Sequence, residues 1–508
     1  MGSDARFGLD DASAFAEVSG EASAPAAGPQ AAWYFAGECV AVPRGGGASF
    51  STDRRPMHDL RLWSDAHPFA PRALPPLVWL GATGVVRNAL LAPDARSYGA
   101  DGVTAPLRFV ARLPSNRSWF DATSAAFFAA GPVQLRGTRE DDALLVRALW
   151  PQSWRLGPRA AAPAPLPDAV RPGLALRARI QATPAAALAF EATSLWQRRP
   201  GSGWAGKAVL AFIVNGAQGD DDEAHGGHFS IATGRIADDG DIGSWLVNSF
   251  YSLDVVSEKG ILAAPVPLDR YQGDLNSGQS WYRPSWALVA VLDDERAAVR
   301  VQAALGRLYR HFWRGQQPYY HPTDNCTSLA VDTLRALGLD VPRYGASGRF
   351  KAWAALPTVA LQERRWQAGK LAFDYLVTER TRLLPALALE AVFEALLGLA
   401  QRKTAPEGVL GRELAEDLDA LAWLALPQFP SSRAWGGPPV ASLAEYHASM
   451  PADPAQRQII PLPPRHLPDA LRDDDLLPAL PHPSDNAVRW LAVAPLAVVA
   501  AMLALRGR

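Results

Sequence analysis

The sequence predicts an α+β protein, and three observations carry that expectation. Continuous apolar runs of strand length, "KAVLAFIVN" (Lys207–Asn215) and "WALVAVL" (Trp286–Leu292), fit strands covered on both faces. Nearer the N-terminus, shorter runs alternate apolar and polar residues, as half-buried strands do. Third, "HPTDNCTSLAVDTLRALGLD" (His321–Asp340) has helical periodicity with a start and a stop signal. The chain has 508 residues, which suggests roughly two or three units. It is 48% hydrophobic and 20% charged with a net charge of −1, so it is globular and not a polybasic nucleic-acid binder.

The elements follow in order. Residues 1–30 are rich in Ala, Ser, Gly and Pro and read as disordered. The opening "MGSDARFGLDDASAF" lacks the basic and apolar regions of a secretory signal. Residues 31–200 read as a β-rich domain without visible chemistry. Within it, "PLRFVARLP" alternates through Leu107, Phe109, Ala111 and Leu113, and "LALRARI" through Leu174, Leu176, Ala178 and Ile180. Residues 201–345 form the next unit. "HFSIAT" and "SWLVNSFYSL" read as strands, followed by a helix from about Asp294 to Phe312 and another starting at Cys326. Residues 346–425 read as a helical region, clearest in "LPALALEAVFEALLGLAQRK". Its two glutamates and Pro385 argue against a membrane span. Residues 426–486 read as a Pro-rich linker.

Residues 487–508 read as a single C-terminal membrane anchor. "WLAVAPLAVVAAMLAL" (Trp490–Leu505) is uncharged, and Trp490 with flanking arginines suits an interface. At about 1.5 Å per residue it falls somewhat short of a core about 30 Å thick, and Ala487 and Val488 extend it. Arginine on both sides leaves the membrane face open.

Two cysteines, Cys39 and Cys326, make neither a disulfide framework nor a zinc knuckle. Cys39 lies in the apolar run "WYFAGECVAV" and reads as a buried small hydrophobe. Cys326 differs. Asp324 or Asn325 is a good N-cap, Ala330, Leu334 and Leu337 form an apolar stripe, and Gly338 followed by Leu339 is a stop. Cys326 therefore sits in the first turn. Unpaired N–H groups and the helix dipole there favour an anion, lower a thiol pKa and can receive an oxyanion.

A thiolate nucleophile needs a base. Of nine histidines, His228 in "HGGHFSIATG" opens a core strand beside two glycines. Asn248 in "WLVNSF" is a polar residue in an apolar run and can orient the His228 ring or satisfy local backbone. His225 and His228 lack a third ligand at convincing spacing, so no metal is expected. The acidic run Gly219–Glu223 reads as a solvated loop. No cofactor motif stands out.

In order, "GHFSIATG", "WLVNSF", "EKGIL", "YRPSWALVAVL" and "YYHPTDNCTSLAVDTLRALG" resemble the permuted branch of the papain-like (NlpC/P60-type) thiol enzymes. In that branch the histidine strand precedes the cysteine helix. The chain is most similar to the N-terminal periplasmic domain of bacterial lipoprotein N-acyltransferases, long a domain of unknown function. The matching positions are Gly227–His228, Asn248, Lys259–Gly260, Tyr282–Arg283 and Asn325–Cys326, within roughly residues 207–345. The resemblance implies a papain-like catalytic domain with Cys326 as nucleophile and His228 as base. It implies Asn248 as orienting group, and Asn325, Tyr282 and Arg283 along the substrate path. It also implies a periplasmic setting and a membrane lipid or lipoprotein substrate.

The leading expectation is a membrane-associated thiol acyltransferase or hydrolase working through an acyl-thioester on Cys326. The rivals are a cell-wall peptide amidase or endopeptidase on the same pair, and a non-catalytic anchored interaction protein. The sequence does not specify an oligomeric state.

Overall fold

The computed structural model describes residues 7–19, 37–44, 55–113, 116, 118–157, 171–182, 188–218, 226–251, 264–313, 316–430 and 436–448. The fold is α+β. Its centre is a seven-stranded antiparallel sheet with the spatial order Val266–Pro267, Leu246–Asn248, His228–Arg235, Ala208–Asn215, Ser285–Leu292, Leu418–Leu426, Glu191–Gln197. The three strands 208–215, 285–292 and 418–426 are buried along their whole length.

The sheet is covered on both faces, which is why those runs carry no alternation. One face sends Leu210, Phe212, Phe229, Ile231 and Leu288 against the helices Arg296–Trp313, Cys326–Ala336 and Pro385–Ala400. The other sends Val209, Ala211, Ile213, Val247 and Val289 into a core shared with Leu135, Val146 and Trp150. Those three come from a closed barrel of five strands: Gly84–Leu91, Ser97–Ala100, Val103–Phe109, Val133–Glu140 and Ala143–Pro151.

Several expected boundaries change. The stretch 1–30 is not disordered throughout. Phe15–Ser19 joins Cys39–Pro43 and Val78–Gly81 in a three-stranded sheet, and Phe7 packs edge-on against Phe15 at 5.0 Å. Three large apolar residues (Phe7, Leu9, Phe15) are buried there, enough to hold a segment that its composition marks as loose. Cys39 is half-buried in this small sheet. The run 174–180 is helix, not strand, within Pro172–Ala182. Leu176 and Ile180 stand four apart and share one buried face, while Arg177 pairs with Glu390.

The central sheet is also not confined to 201–345. It takes Glu191–Gln197 from the expected N-terminal domain and Leu418–Leu426 from the expected helical region. A short continuous apolar run does not by itself distinguish strand from buried helix, and here the open edge of Ser285–Leu292 selects strand. The first part of the expected linker is packed too. Phe429 lies among Phe127, Phe128, Trp154 and Trp281, with ring centroids 5.0–6.0 Å away. "SWLVNSFYSL" contributes only Leu246–Asn248 as strand. The expected anchor, and residues 431–435 and 449–486 of the linker, lie outside the described residues. Among the described residues no helix is long and apolar enough to cross a membrane.

Candidate functional site

Asn325, not Asp324, caps the cysteine helix. Its backbone is extended, and its Oδ1 accepts from the N–H groups of Thr327 (2.8 Å) and Ser328 (2.9 Å). Ser328 Oγ accepts in return from the Asn325 N–H at 2.7 Å, which completes a capping box. Asn325 Nδ2 donates to the His321 carbonyl at 2.7 Å. Both ends of the Asn325 amide are thus engaged with its own chain, so it positions the helix. Cys326 follows as the first helical residue. The helix ends as expected: Gly338 has φ +92°, and the Leu339 N–H reaches back to the Leu334 carbonyl at 3.0 Å.

The cysteine helix packs on the His228 strand. The Cys326 thiol lies 3.8 Å from Thr327 Oγ1, and the N–H of Phe229, the residue after His228, favours its anion. The N–H of Cys326 donates to the Tyr319 hydroxyl at 3.4 Å. Burial pushes the thiol above its ordinary range, while the Phe229 N–H, Thr327 and Arg283 pull it back. The helix start alone implies a lowered value. Enclosure of the sulphur reverses that expectation, because desolvation penalises the thiolate.

His228 opens its strand directly opposite Asn215. Its ring stacks on Tyr251, with centroids 4.5 Å apart and planes 2° from parallel. Its Nε2 is buried and has no hydrogen-bond partner among the described residues. Burial, and then the Arg283 charge, hold the imidazole well below its usual range, so the ring is neutral. Gly227 makes the tight entry into the strand. Its φ is +92°, and a Cβ there would stand 2.6 Å from the Asn215 carbonyl oxygen and 3.2 Å from Pro439 Cβ.

Arg283 is buried, donates to Gln279 Oε1 (2.9 Å) and to the Gly216 carbonyl (3.1 Å), and acts electrostatically on both His228 and Cys326. Cys326, His228 and Arg283 therefore share one neighbourhood. Among the described residues no hydrogen bond joins the sulphur to the ring, so a proton transfer between them requires the two groups to approach more closely.

Two expected site residues stand elsewhere. Asn248 does not orient His228. It sits opposite Ile231, donates to the carbonyls of Ile231 and Leu246 (both 3.2 Å), and exchanges amide hydrogen bonds with Gln302 at 2.9 and 3.1 Å. It ties the sheet to the helix Arg296–Trp313. The Tyr282 hydroxyl lies 2.8 Å from Asn116 Oδ1 and 2.7 Å from the Asn276 carbonyl, either of which can take its proton. Tyr282 thus fastens the sheet to the residues following the barrel strand Val103–Phe109. Lys259–Gly260, His225 and the acidic run 219–223 lie outside the described residues.

The sequence reading missed several neighbours. Tyr271 donates to Asn215 Oδ1 at 2.5 Å and lies 3.2 Å from Ser230 Oγ. Ser230 meets Ser249 at 2.7 Å, and Asn215 Nδ2 donates to Ser285 at 2.7 Å. This buried polar patch lies on the barrel-facing side of the His228 strand. Its only sequence signal is a set of polar residues at the ends of apolar runs. Residues 436–446, expected as linker, cross the same edge. Gly437 bridges Ala217, Val440 donates to the Gly226 carbonyl at 3.2 Å, and Pro439 faces Gly227. Among the described residues no group of three or more His, Cys, Asp or Glu side chains is placed to hold a metal.

Comparison of the chain with protein-family models, with curated proteins and with solved structures finds no significant match.

Proposed function

We propose that the protein is a thiol acyltransferase or hydrolase with Cys326 as nucleophile and His228 as base. One observation carries this reading. A cysteine at the first position of a capped helix lies against the strand opened by a histidine whose buried Nε2 has no partner among the described residues, and one arginine acts on both. A buried polar atom without a partner is costly in a resting protein and suits a group that takes a proton during a reaction.

The chemistry follows from the groups present. His228 Nε2 takes the Cys326 proton, and the sulphur attacks the carbonyl carbon of an ester or amide. The developing oxyanion is received at the Cys326 N–H, where the Tyr319 hydroxyl now sits. The imidazolium returns its proton to the leaving alkoxide or amine, leaving a thioester on Cys326. An amine acceptor or water then attacks the thioester and regenerates the thiol. The permuted papain-like arrangement and the lipid or lipoprotein substrate rest on the resemblance of the motifs around Gly227–His228 and Asn325–Cys326.

The test is the pH dependence of Cys326 alkylation, in the unaltered chain and in His228→Ala. A reactive thiol whose profile shifts without His228 supports the pair. Slow labelling that rises only at ordinary thiol pH and ignores His228 favours the non-catalytic interaction protein. Trapping of the acyl-enzyme with lipid or with peptide substrates separates the lipid-directed reading from the cell-wall reading.

A further inference from the structure

Four of the eight large hydrophobic side chains that stand exposed among the described residues belong to one helical hairpin. They are Phe350 (93% exposed), Leu361 (79%), Trp353 (65%) and Trp366 (63%). The hairpin is Arg349–Gln362 followed by Trp366–Val377. On the first helix Phe350, Trp353, Pro357 and Leu361 recur at i, i+3, i+7 and i+11, which is one face. The buried residues Ala352, Ala355 and Val359 occupy the opposite face, packed with Leu371, Ala372 and Leu376. The helix thus already has its packing face, and the outer apolar stripe is surplus to it.

The charges around the stripe are one-sided. The hairpin 349–377 carries Arg349, Lys351, Arg364, Arg365 and Lys370 against two carboxylates, Glu363 and Asp374, the latter paired with Lys370 at 2.6 Å, in a chain whose net charge is −1. Aromatic and aliphatic side chains flanked by arginine and lysine match the boundary between acyl chains and anionic headgroups. From this complementarity we infer that the outer face of the 349–377 hairpin docks on an anionic lipid surface, with Phe350, Trp353, Leu361 and Trp366 entering the headgroup–acyl boundary.

The hairpin is fastened to the segment that leads into Cys326. The Tyr375 hydroxyl meets His321 Nδ1 at 2.7 Å, and the Tyr320 hydroxyl donates to Asp374 at 2.8 Å. Docking would therefore fix the cysteine helix relative to the lipid plane. The inference stands on the hairpin and holds whether or not Cys326 reacts.

The test uses the full chain with Leu361→Cys as its sole thiol, in a Cys39→Ser, Cys326→Ser background, carrying an environment-sensitive fluorophore. A second labelled chain carries Leu90→Cys on the barrel. Each is mixed with vesicles of phosphatidylglycerol and phosphatidylcholine, with and without brominated acyl chains. The expected result is a blue shift and bromine quenching at 361 but not at 90. Partitioning should weaken about tenfold when Phe350 and Trp353 are changed to Ser, and also when phosphatidylglycerol is omitted. A 361 label that stays in water while the chain sediments with vesicles overturns the inference, as do failure to bind at all and equal quenching at both sites. A 361 label already sheltered without vesicles also overturns it. Sheltering at every protein concentration identifies the occupant as another part of this chain, and sheltering only at high concentration identifies a second copy.

Discussion

Two buried histidines show how differently one residue type is used in this fold. His311 sits at a joint between helices. Its Nε2 meets Asp59 Oδ2 at 2.9 Å, its Nδ1 meets Gln316 at 3.0 Å, and Asp59 also accepts from Arg307 at 2.8 Å. His228 sits at the end of an interior strand with an aromatic ring stacked on it and a buried Nε2 that has no partner among the described residues. Both are removed from water, so burial does not separate them. Satisfaction does: the first is a finished structural joint and the second has been left incomplete.

Mutation at each place should break or sharpen that contrast. On the proposed reading Cys326→Ala has the largest expected effect, a loss of acyl transfer on the order of ten-thousandfold or more, with the unfolding midpoint nearly unchanged. Single-turnover acylation with a thioester-forming substrate measures it. His228→Ala should lower the acylation rate about a hundredfold to ten-thousandfold. It removes an unsatisfied polar atom, so urea unfolding should show little loss of stability. Asp59→Ala should do the reverse. It removes the carboxylate that Arg307 and His311 share and should cost about 3–5 kcal/mol in urea unfolding, while the folded fraction keeps its Cys326 alkylation profile. Asn248→Ala should cost about 1–3 kcal/mol through the lost Gln302 pairing. It should leave the pH profile of Cys326 alkylation unmoved, because Asn248 does not touch His228.

A further expected effect concerns acid. The folded chain keeps His321 neutral down to about 4, because burial lowers its pKa from the ordinary 6.5. The unfolded chain takes up that proton as pH falls below about 6.5. The unfolded state therefore binds more protons between these values, and the folded state loses stability as pH drops through the window. The contribution is fully present above 6.5. Thermal unfolding of His321→Phe, compared with the unaltered chain from pH 7 to pH 4, should show a flatter decline. A steeper one would contradict the direction.

The readable parts of the chain were those fixed by local chemistry. Asn325, Cys326 and Gly338 show a capped helix because caps and stops are near-neighbour effects. The strands around Phe212 and Leu288 show themselves because full burial demands an unbroken apolar run. The unreadable parts depend on partners distant in sequence. Leu418–Leu426 has the composition of a buried helix, and only the free edge beside Ser285–Leu292 makes it a strand. Leu176 and Ile180 satisfy both an alternating and a helical pattern, and the packing on Glu390 and its helix decides. At the site, His228 was legible from its glycines. Tyr251 and the field of Arg283 reach His228, and Tyr319 reaches Cys326, from three separate segments, which no local pattern ties together. The thiol expectation reversed for the same reason, since enclosure is a tertiary property and the helix start is not.

The late strand Leu418–Leu426 has a consequence for synthesis. It is hydrogen-bonded to Ser285–Leu292 on one side and Glu191–Gln197 on the other, and among the described residues it joins them in the sheet. Until the ribosome has delivered residue 426, the strand carrying Ser285 presents a long apolar edge, and Glu191–Gln197 has no sheet to join. An expression fragment cut at residue 345 would retain both Cys326 and His228 and keep that raw edge permanently, so it should accumulate as aggregate. A nascent chain must likewise be kept from pairing with its neighbours on a polysome for the time needed to translate the intervening helices.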